Sequence, residues 1–254
     1  MAALPAESVD AIVTSPPYAM QRKSTYGGIP EADYPAWTVR WMAEARRILK
    51  PDGSVIINIR PHIKGGVISD YVLRTRLALR DDGWAELEEL IWYKKGGAPL
   101  GSTRRPRRAY ESLLWYGKHG RSYSAPKAGG VYRENVGSGA GRKGAHLRTG
   151  QVGFGVFTGV ARVQDVATVS TGHQKSDADR ATDHPAPFPW QLAEWCGKLI
   201  CPPGGTILDP FNGSASTGVA ALRNGWHYIG IDAVPEYIEM SARRLDHEAG
   251  KAAA

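Results

Sequence analysis

Two short stretches of the 254-residue chain combine residue types that can hold a base and a nucleoside. The first, Thr14-Ser15-Pro16-Pro17-Tyr18, follows the apolar run Val9–Val13. Proline cannot donate to a sheet ladder, so the chain must leave the sheet here and project carbonyls with no N–H beside them. An exocyclic base amine needs acceptors for its hydrogens if its lone pair is to face an electrophile. Ser15 Oγ and the Pro16 carbonyl are such acceptors, Pro17 stiffens the projection, and Tyr18 offers a ring for a base to stack on.

The second stretch is Asp209-Pro210-Phe211-Asn212-Gly213-Ser214-Ala215-Ser216-Thr217, between a strand-like and a helix-like segment. In open α/β sheets ligands bind at the carboxyl ends of strands, and small residues let them approach the backbone. Asp232 ends the next strand-like run, where an acid is placed to take ribose hydroxyls. Gly213 and Gly218 have the G-x-x-x-x-G spacing, but Val219 and Ala220 follow in place of Lys and Ser/Thr, so this is not a nucleotide phosphate loop. Nor is the spacing that of a dinucleotide fingerprint. S-adenosyl-L-methionine, which has a ribose and no phosphate, fits.

The elements that must position these stretches alternate. Strands are expected at Val9–Val13, Ser54–Ile59, Trp84–Tyr93, Glu111–Tyr116, Thr206–Asp209 and Tyr228–Asp232. Helices are expected at Tyr34–Leu49, Val67–Leu79, Pro189–Ile200, Ser214–Arg223 and Pro235–His247, with a turn at Lys50-Pro51-Asp52-Gly53. Alternation of this kind predicts an α/β fold with a doubly wound, mostly parallel sheet. From Gly117 to about Val166 hydrophobic periodicity fades and Gly, Ser, Arg and Lys dominate. That segment reads as an insertion at one edge of the sheet. The expected division is a catalytic half at 1–117, a target-recognition insertion at 118–166 and a cofactor half at 167–254.

Charge is concentrated in the same region. Lys94–Arg148 holds thirteen basic residues against two acidic ones, a local excess of eleven where the whole chain carries +7. Arg104, Arg105, Arg107, Arg108, Lys118 and Arg121 read as contacts to the phosphates of a nucleic acid. Tyr123, Tyr132, Phe154 and Phe157 interleave as residues that stack or pack. The two cysteines, Cys196 and Cys201, read as core thiols, and no metal site is expected. No apolar run approaches the roughly 20 residues of a membrane helix. Met1–Ser8 has neither a basic nor an apolar leader, so a cytoplasmic location is expected.

Taken together, these motifs resemble the β-group of S-adenosylmethionine-dependent DNA amino-methyltransferases, in which an S/D/N-P-P-Y/F motif precedes the cofactor motif. The resemblance runs through Val9–Tyr18, Arg46–Asn58, Glu111–Lys118, His184-Pro185-Ala186-Pro187-Phe188-Pro189, Ile207–Thr217, Tyr228–Asp232 and Pro235-Glu236-Tyr237. It implies a Rossmann-like fold and direct in-line attack of a flipped-out base amine on the methyl group. It also implies catalytic roles for Ser15, Pro16, Pro17 and Tyr18. The cofactor set becomes Asp209, Pro210, Phe211, Asn212, Gly213, Ser214, Asp232, His184 and Phe188. Serine at position 15 usually accompanies cytosine N4 in this family, so that is the expected target; adenine N6 and a catalytically weak DNA-binding member are the alternatives. A cognate restriction endonuclease is a candidate functional partner, and monomer or homodimer stays open. Two departures stand out. Ala215 replaces a common glycine and is expected to tighten the methionine end of the site. No Gly-Asp strand end precedes Val9, and Glu7 is a poor substitute, which leaves a late start, a shortened chain or weaker adenine binding.

Overall fold

The computed structural model describes residues 1–21, 27–95, 105–118, 133–135, 160–162, 164–170 and 188–252. Arg104, Arg121, Tyr123, Tyr132, Phe154, Phe157 and His184 lie outside the described residues. In chain order the elements are β1 (Val9–Thr14), α1 (Tyr34–Ile48), β2 (Leu49–Ile59), β3 (Ile63–Lys64), β4 (Val67–Ile68), α2 (Tyr71–Asp81), β5 (Trp84–Tyr93) and β6 (Tyr110–Lys118). Then follow β7 (Arg133–Asn135), β8 (Val160–Arg162), β9 (Val166–Thr168), α3 (Trp190–Ile200), β10 (Thr206–Asp209), α4 (Ser216–Asn224), β11 (His227–Gly230) and α5 (Pro235–Ala252).

Seven of these strands form one sheet in the order β11-β10-β1-β2-β6-β5-β9. Every strand runs the same way except β6, which is antiparallel to both β2 and β5. Val9, Ala11, Ile12 and Val13 are buried on both faces of β1, the pattern of a central parallel strand covered from both sides. One cover packs Tyr34, Trp41, Met42 and Ala45 of α1 with Tyr71 and Leu79 of α2. The other packs Leu192, Cys196, Leu199 and Ile200 of α3 with Ala221 and Trp226. The fold is therefore doubly wound and mostly parallel, as the alternation of elements predicts. Both thiols are in the core, and burial pushes Cys201 up to about 12.

The connections create a switch point. The chain leaves β1 through α1 to reach β2 on one side, and leaves β10 through α4 to reach β11 on the other. β1 and β10 are neighbours, with Ile12 opposite Leu208. Their carboxyl ends thus open a crevice between diverging connections, where ligands bind in sheets of this kind.

Three sequence expectations shift. The helix expected from Val67 begins at Tyr71, because Val67 and Ile68 pair with Lys64 and Ile63 as a hairpin turned by Gly65 and Gly66, both at positive φ. Lys50–Gly53 is not a free turn but an outward bulge within β2. Val9 pairs with Leu49 and Ala11 with Ser54, so four residues of β2 are accommodated against one of β1. Gly53 is needed there, since a Cβ would stand 2.9 Å from the Leu49 side chain and 3.0 Å from the Asp10 carbonyl. Asp10 fastens the bulge, accepting Lys50 Nζ at 2.8 Å and the Thr206 N–H at 2.8 Å. Finally, α4 begins at Ser216, leaving Ser214 and Ala215 in the preceding loop. Among the described residues, no helix is long and apolar enough to cross a membrane.

Candidate active site

Ser15, Pro16, Pro17 and Tyr18 leave the carboxyl end of β1, and Asp209–Ala215 leaves the carboxyl end of β10 beside it. Asp209 joins the two. Its Oδ1 accepts the Thr14 hydroxyl at 2.6 Å and the Phe211 N–H at 3.0 Å, and its Oδ2 accepts the Thr217 hydroxyl at 2.9 Å. This carboxylate, 1% exposed, is occupied with holding the loop to the end of β1. Thr14 and Thr217, which sequence reasoning did not single out, are the donors that make this junction.

Burial lifts the Asp209 carboxyl to about 6, against the pull of its three hydrogen bonds, with the nearby Asp232 charge adding to the rise. A folded value above that of an exposed carboxyl, about 3.9, gives a definite sign. Protonated Asp209 favours the folded state; that contribution is complete below about pH 4 and is lost as pH rises through about 6. Asp209→Asn removes this titration. In urea denaturation at stepped pH, the stability of the unaltered protein relative to the variant falls between pH 4 and 6. A difference that stays constant over this window would place the carboxyl at its ordinary value.

Asp232 follows β11, half-buried. Its Oδ2 accepts the Gly213 N–H at 2.8 Å and its Oδ1 the Val234 N–H at 3.0 Å, which leaves each oxygen a further lone pair. Gly213 takes φ +49, a conformation side chains disfavour. The loop also lies on β11. The Asn212 N–H donates to the Ile231 carbonyl, Tyr228 Oη donates to Asn212 Oδ1, and a Cβ on Gly230 would stand 2.5 Å from that oxygen. From α5, Arg244, 3% exposed, reaches the Ser214 carbonyl at 2.7 Å. In sequence Arg244 looks like one more charge on a solvated helix. Ala215, in place of the expected glycine, sits at φ 58 and ψ 42, a left-handed conformation costing a residue with a side chain about 1 kcal/mol.

Aromatic rings close one side of the crevice. Phe211 lies 5.4 Å from Trp37 and 5.3 Å from Trp41, edge-on to the latter. Pro210 of the loop is buried, while Phe188 packs partly buried against the opposite face of the sheet, in the cluster that also takes Trp195 and Tyr228.

Around Tyr18 lies a polar cluster that sequence reasoning missed. Tyr18 Oη donates to Glu111 Oε2 at 2.7 Å, and Asn58 Nδ2 lies 3.0 Å from the same oxygen, 3.2 Å from Tyr18 Oη and 3.5 Å from Ser15 Oγ. Burial, reinforced by the Glu111 charge, holds the Tyr18 hydroxyl well above its ordinary value, so it is a donor at neutral pH. Lys94 Nζ pairs with Glu111 Oε1, and an Arg60 guanidinium nitrogen stands 3.9 Å from it.

The described basic residues separate. Arg108 is half-buried near Arg60, Tyr71 and Glu111; burial and the Arg60 charge lower its pKa. Arg105 donates to the Gly66 carbonyl of the hairpin, and Arg107 is exposed. Lys118 lies at the other end of β6 from Glu111, about 23 Å away at a strand's rise per residue. There its Nζ donates to the Leu49 carbonyl at 2.6 Å, so it is not brought together with the arginines.

A family model, that of the N6/N4 DNA methylases, matches residues 9–243. The chain belongs to this family of DNA methyltransferases. It is 28% identical over 250 residues to the type II methyltransferase M.ScaI of Streptomyces caespitosus, covering 97% of this chain and 78% of that one. It is also 28% identical over 257 residues to M2.DpnII of Streptococcus pneumoniae, covering 95% and 84%. Among solved structures, the cytosine-N4-specific PvuII DNA methyltransferase shares the fold at a TM-score of 0.73 and 24% identity, over 96% of this chain and 81% of that one. A protein of Thermus thermophilus, named provisionally as a DNA modification methylase and solved with S-adenosyl-L-methionine, matches at 0.62 and 25%, over 98% and 91%.

Proposed function

We propose that this DNA methyltransferase methylates the exocyclic N4 of cytosine in double-stranded DNA, with S-adenosyl-L-methionine as donor. One observation carries the reading: Ser15-Pro16-Pro17-Tyr18 and the Asp209–Ala215 loop flank the switch point and are joined there by the Thr14–Asp209 hydrogen bond. Asp232 has lone pairs left for ribose hydroxyls, Gly213 turns the loop without a side chain, and Phe211 offers a ring edge; this set fits a nucleoside without phosphate. When bound, S-adenosyl-L-methionine supplies an electrophilic methyl group. The chain's own residues do the rest. Ser15 Oγ and the Pro16 carbonyl accept the amine hydrogens and so aim its lone pair. Pro17 keeps the projection stiff, and Tyr18 stacks on the extruded base. Positioning supplies the catalysis, and no covalent enzyme intermediate is formed.

Serine at position 15 favours cytosine, and the PvuII enzyme is named for that specificity. Segment 118–166 is the target-recognition region between the catalytic half at 1–117 and the cofactor half at 167–254. Arg104, Arg105, Arg107, Arg108 and Arg121 hold backbone phosphates, and His184 and Phe188 belong to the entry that covers the cofactor. Because the relatives are named type II methyltransferases, a restriction endonuclease of the same specificity is the candidate companion.

Tritiated methyl transfer to unmethylated genomic DNA, followed by nucleoside chromatography, tests this reading. A labelled N4-methylcytosine peak is expected. Labelled N6-methyladenine would reassign the target, and no label with DNA binding intact would leave a DNA-binding protein.

A further inference from the structure

A second residue set stands behind the Ser15–Tyr18 motif. Glu111 is the second residue of β6 and is 7% exposed. An isolated carboxylate at such a place costs several kcal/mol, so its charge has to be balanced. Lys94 balances it from the end of β5, where its ammonium also lies 4.3 Å from the Trp92 ring centroid, and Arg60 stands 3.9 Å off from beyond β2. These cations engage Oε1. The other oxygen, Oε2, is turned to the catalytic motif and accepts both the Tyr18 hydroxyl and the Asn58 amide.

A pairing that served only to hold β5 to β6 would need Oε1 alone. The use of Oε2 has two consequences. Tyr18 is anchored at the tip of its ring, 2.7 Å from the carboxylate, which fixes the direction of the ring axis and so where the ring stands. The Asn58 amide is also oriented, because only its NH2 can face a carboxylate. Its Oδ1 is then left buried with no partner among the described residues, and its Nδ2 faces Ser15 Oγ.

We propose that Glu111, charge-balanced by Lys94, is a positioning residue for base methylation: through Oε2 it fixes the Tyr18 ring and the Asn58 amide, and through them the surface presented to the target base. This rests on the reading that Ser15 and Tyr18 hold the base.

The test is steady-state methyl transfer to unmethylated genomic DNA, with S-adenosyl-L-methionine affinity measured by calorimetry. The proteins are the full chain, Ser15→Ala, Glu111→Gln, Tyr18→Phe and the Glu111→Gln/Tyr18→Phe double variant. Glu111→Gln is expected to lower kcat about 10- to 100-fold, the scale of a small misplacement at a reacting centre, with cofactor affinity changed less than about twofold. In the Tyr18→Phe background the same substitution is expected to cost markedly less, because part of its effect runs through the phenol. If Glu111→Gln fails to fold, Tyr18→Phe decides: it keeps the ring and removes only the anchor, and a lowered kcat is expected. Unchanged kcat in Tyr18→Phe, independent effects in the double variant, or equal loss of cofactor affinity and kcat in Glu111→Gln would each overturn the inference. Transfer that depends on Ser15 but not on Glu111 overturns the inference alone. No transfer by the unaltered chain overturns the underlying reading and the inference with it.

Discussion

Ser15→Ala is expected to lower kcat by about 10²-fold or more while leaving S-adenosyl-L-methionine affinity within about twofold. The magnitude is that of removing one preorganised polar group from a reacting centre. The selectivity follows from where the hydroxyl sits. Its neighbours are Tyr18 and, at 3.5 Å, Asn58 Nδ2, the side on which the proposed reading places the base. The link to the Asp209–Ala215 loop, the proposed cofactor loop, belongs to the preceding residue, through Thr14 and Asp209. The contact of Ser15 with Asn58, at 3.5 Å, is at the limit of a hydrogen bond, so the hydroxyl keeps acceptor capacity for a target amine in the proposed complex. Single-turnover methyl transfer together with calorimetry for the cofactor measures both quantities. Parallel loss of turnover and cofactor affinity would place Ser15 in the loop junction rather than at the base.

The motifs were legible in the sequence because each joins a short apolar run to residues with a mechanism of their own. Val9–Val13 runs into Thr-Ser-Pro-Pro, and Thr206–Asp209 runs into Pro-Phe-Asn-Gly; proline and glycine mark where a buried strand must stop. Neighbouring strands joined by helices then follow from alternation, and with them the shared crevice. The hairpin at Ile63–Ile68 was missed because Val67 and Ile68 continue the apolar spacing of Tyr71, Val72 and Leu79. The dipeptide Gly65-Gly66, a turn signal, would have separated them.

The supporting residues were not legible, for a physical reason. Asn58 and Glu111 are 53 positions apart, and Thr14 and Asp209 are 195 apart. Each sits inside a strand or at its end, where local pattern reports burial but not partners. Glu111 was visible as an acidic residue opening a strand in a basic stretch, with no sign of its partners, and it is pairing of β6 with β2 and β5 that carries it to the Ser15–Tyr18 motif. Arg244 is a parallel case: helical spacing cannot distinguish an arginine in solvent from one buried against the Ser214 carbonyl.

Asp232→Ala has the complementary signature to Ser15→Ala: cofactor affinity falls about 10²- to 10³-fold, while DNA binding is retained. Two effects combine. In the proposed complex each carboxylate oxygen keeps a lone pair for a ribose hydroxyl, and hydrogen bonds to a charged group contribute about 1.5–3 kcal/mol each. The same oxygens hold the Gly213 and Val234 N–H groups, so removing them also loosens the turn that shapes the loop. Asp232→Asn separates the two effects. Its remaining oxygen can satisfy one N–H, but its NH2 faces the other, so the loop loses one restraint and the ribose one acceptor; an intermediate loss is expected. The basic residues near β6 and the hairpin are untouched by either change, so DNA affinity at fixed salt should be that of the unaltered protein. Calorimetry with S-adenosyl-L-methionine, alongside a DNA-binding titration, reads both. Unchanged cofactor affinity in a folded Asp232→Ala protein would move the ribose away from β11. Loss of both affinities together would mean that Asp232 serves the fold before it serves the cofactor.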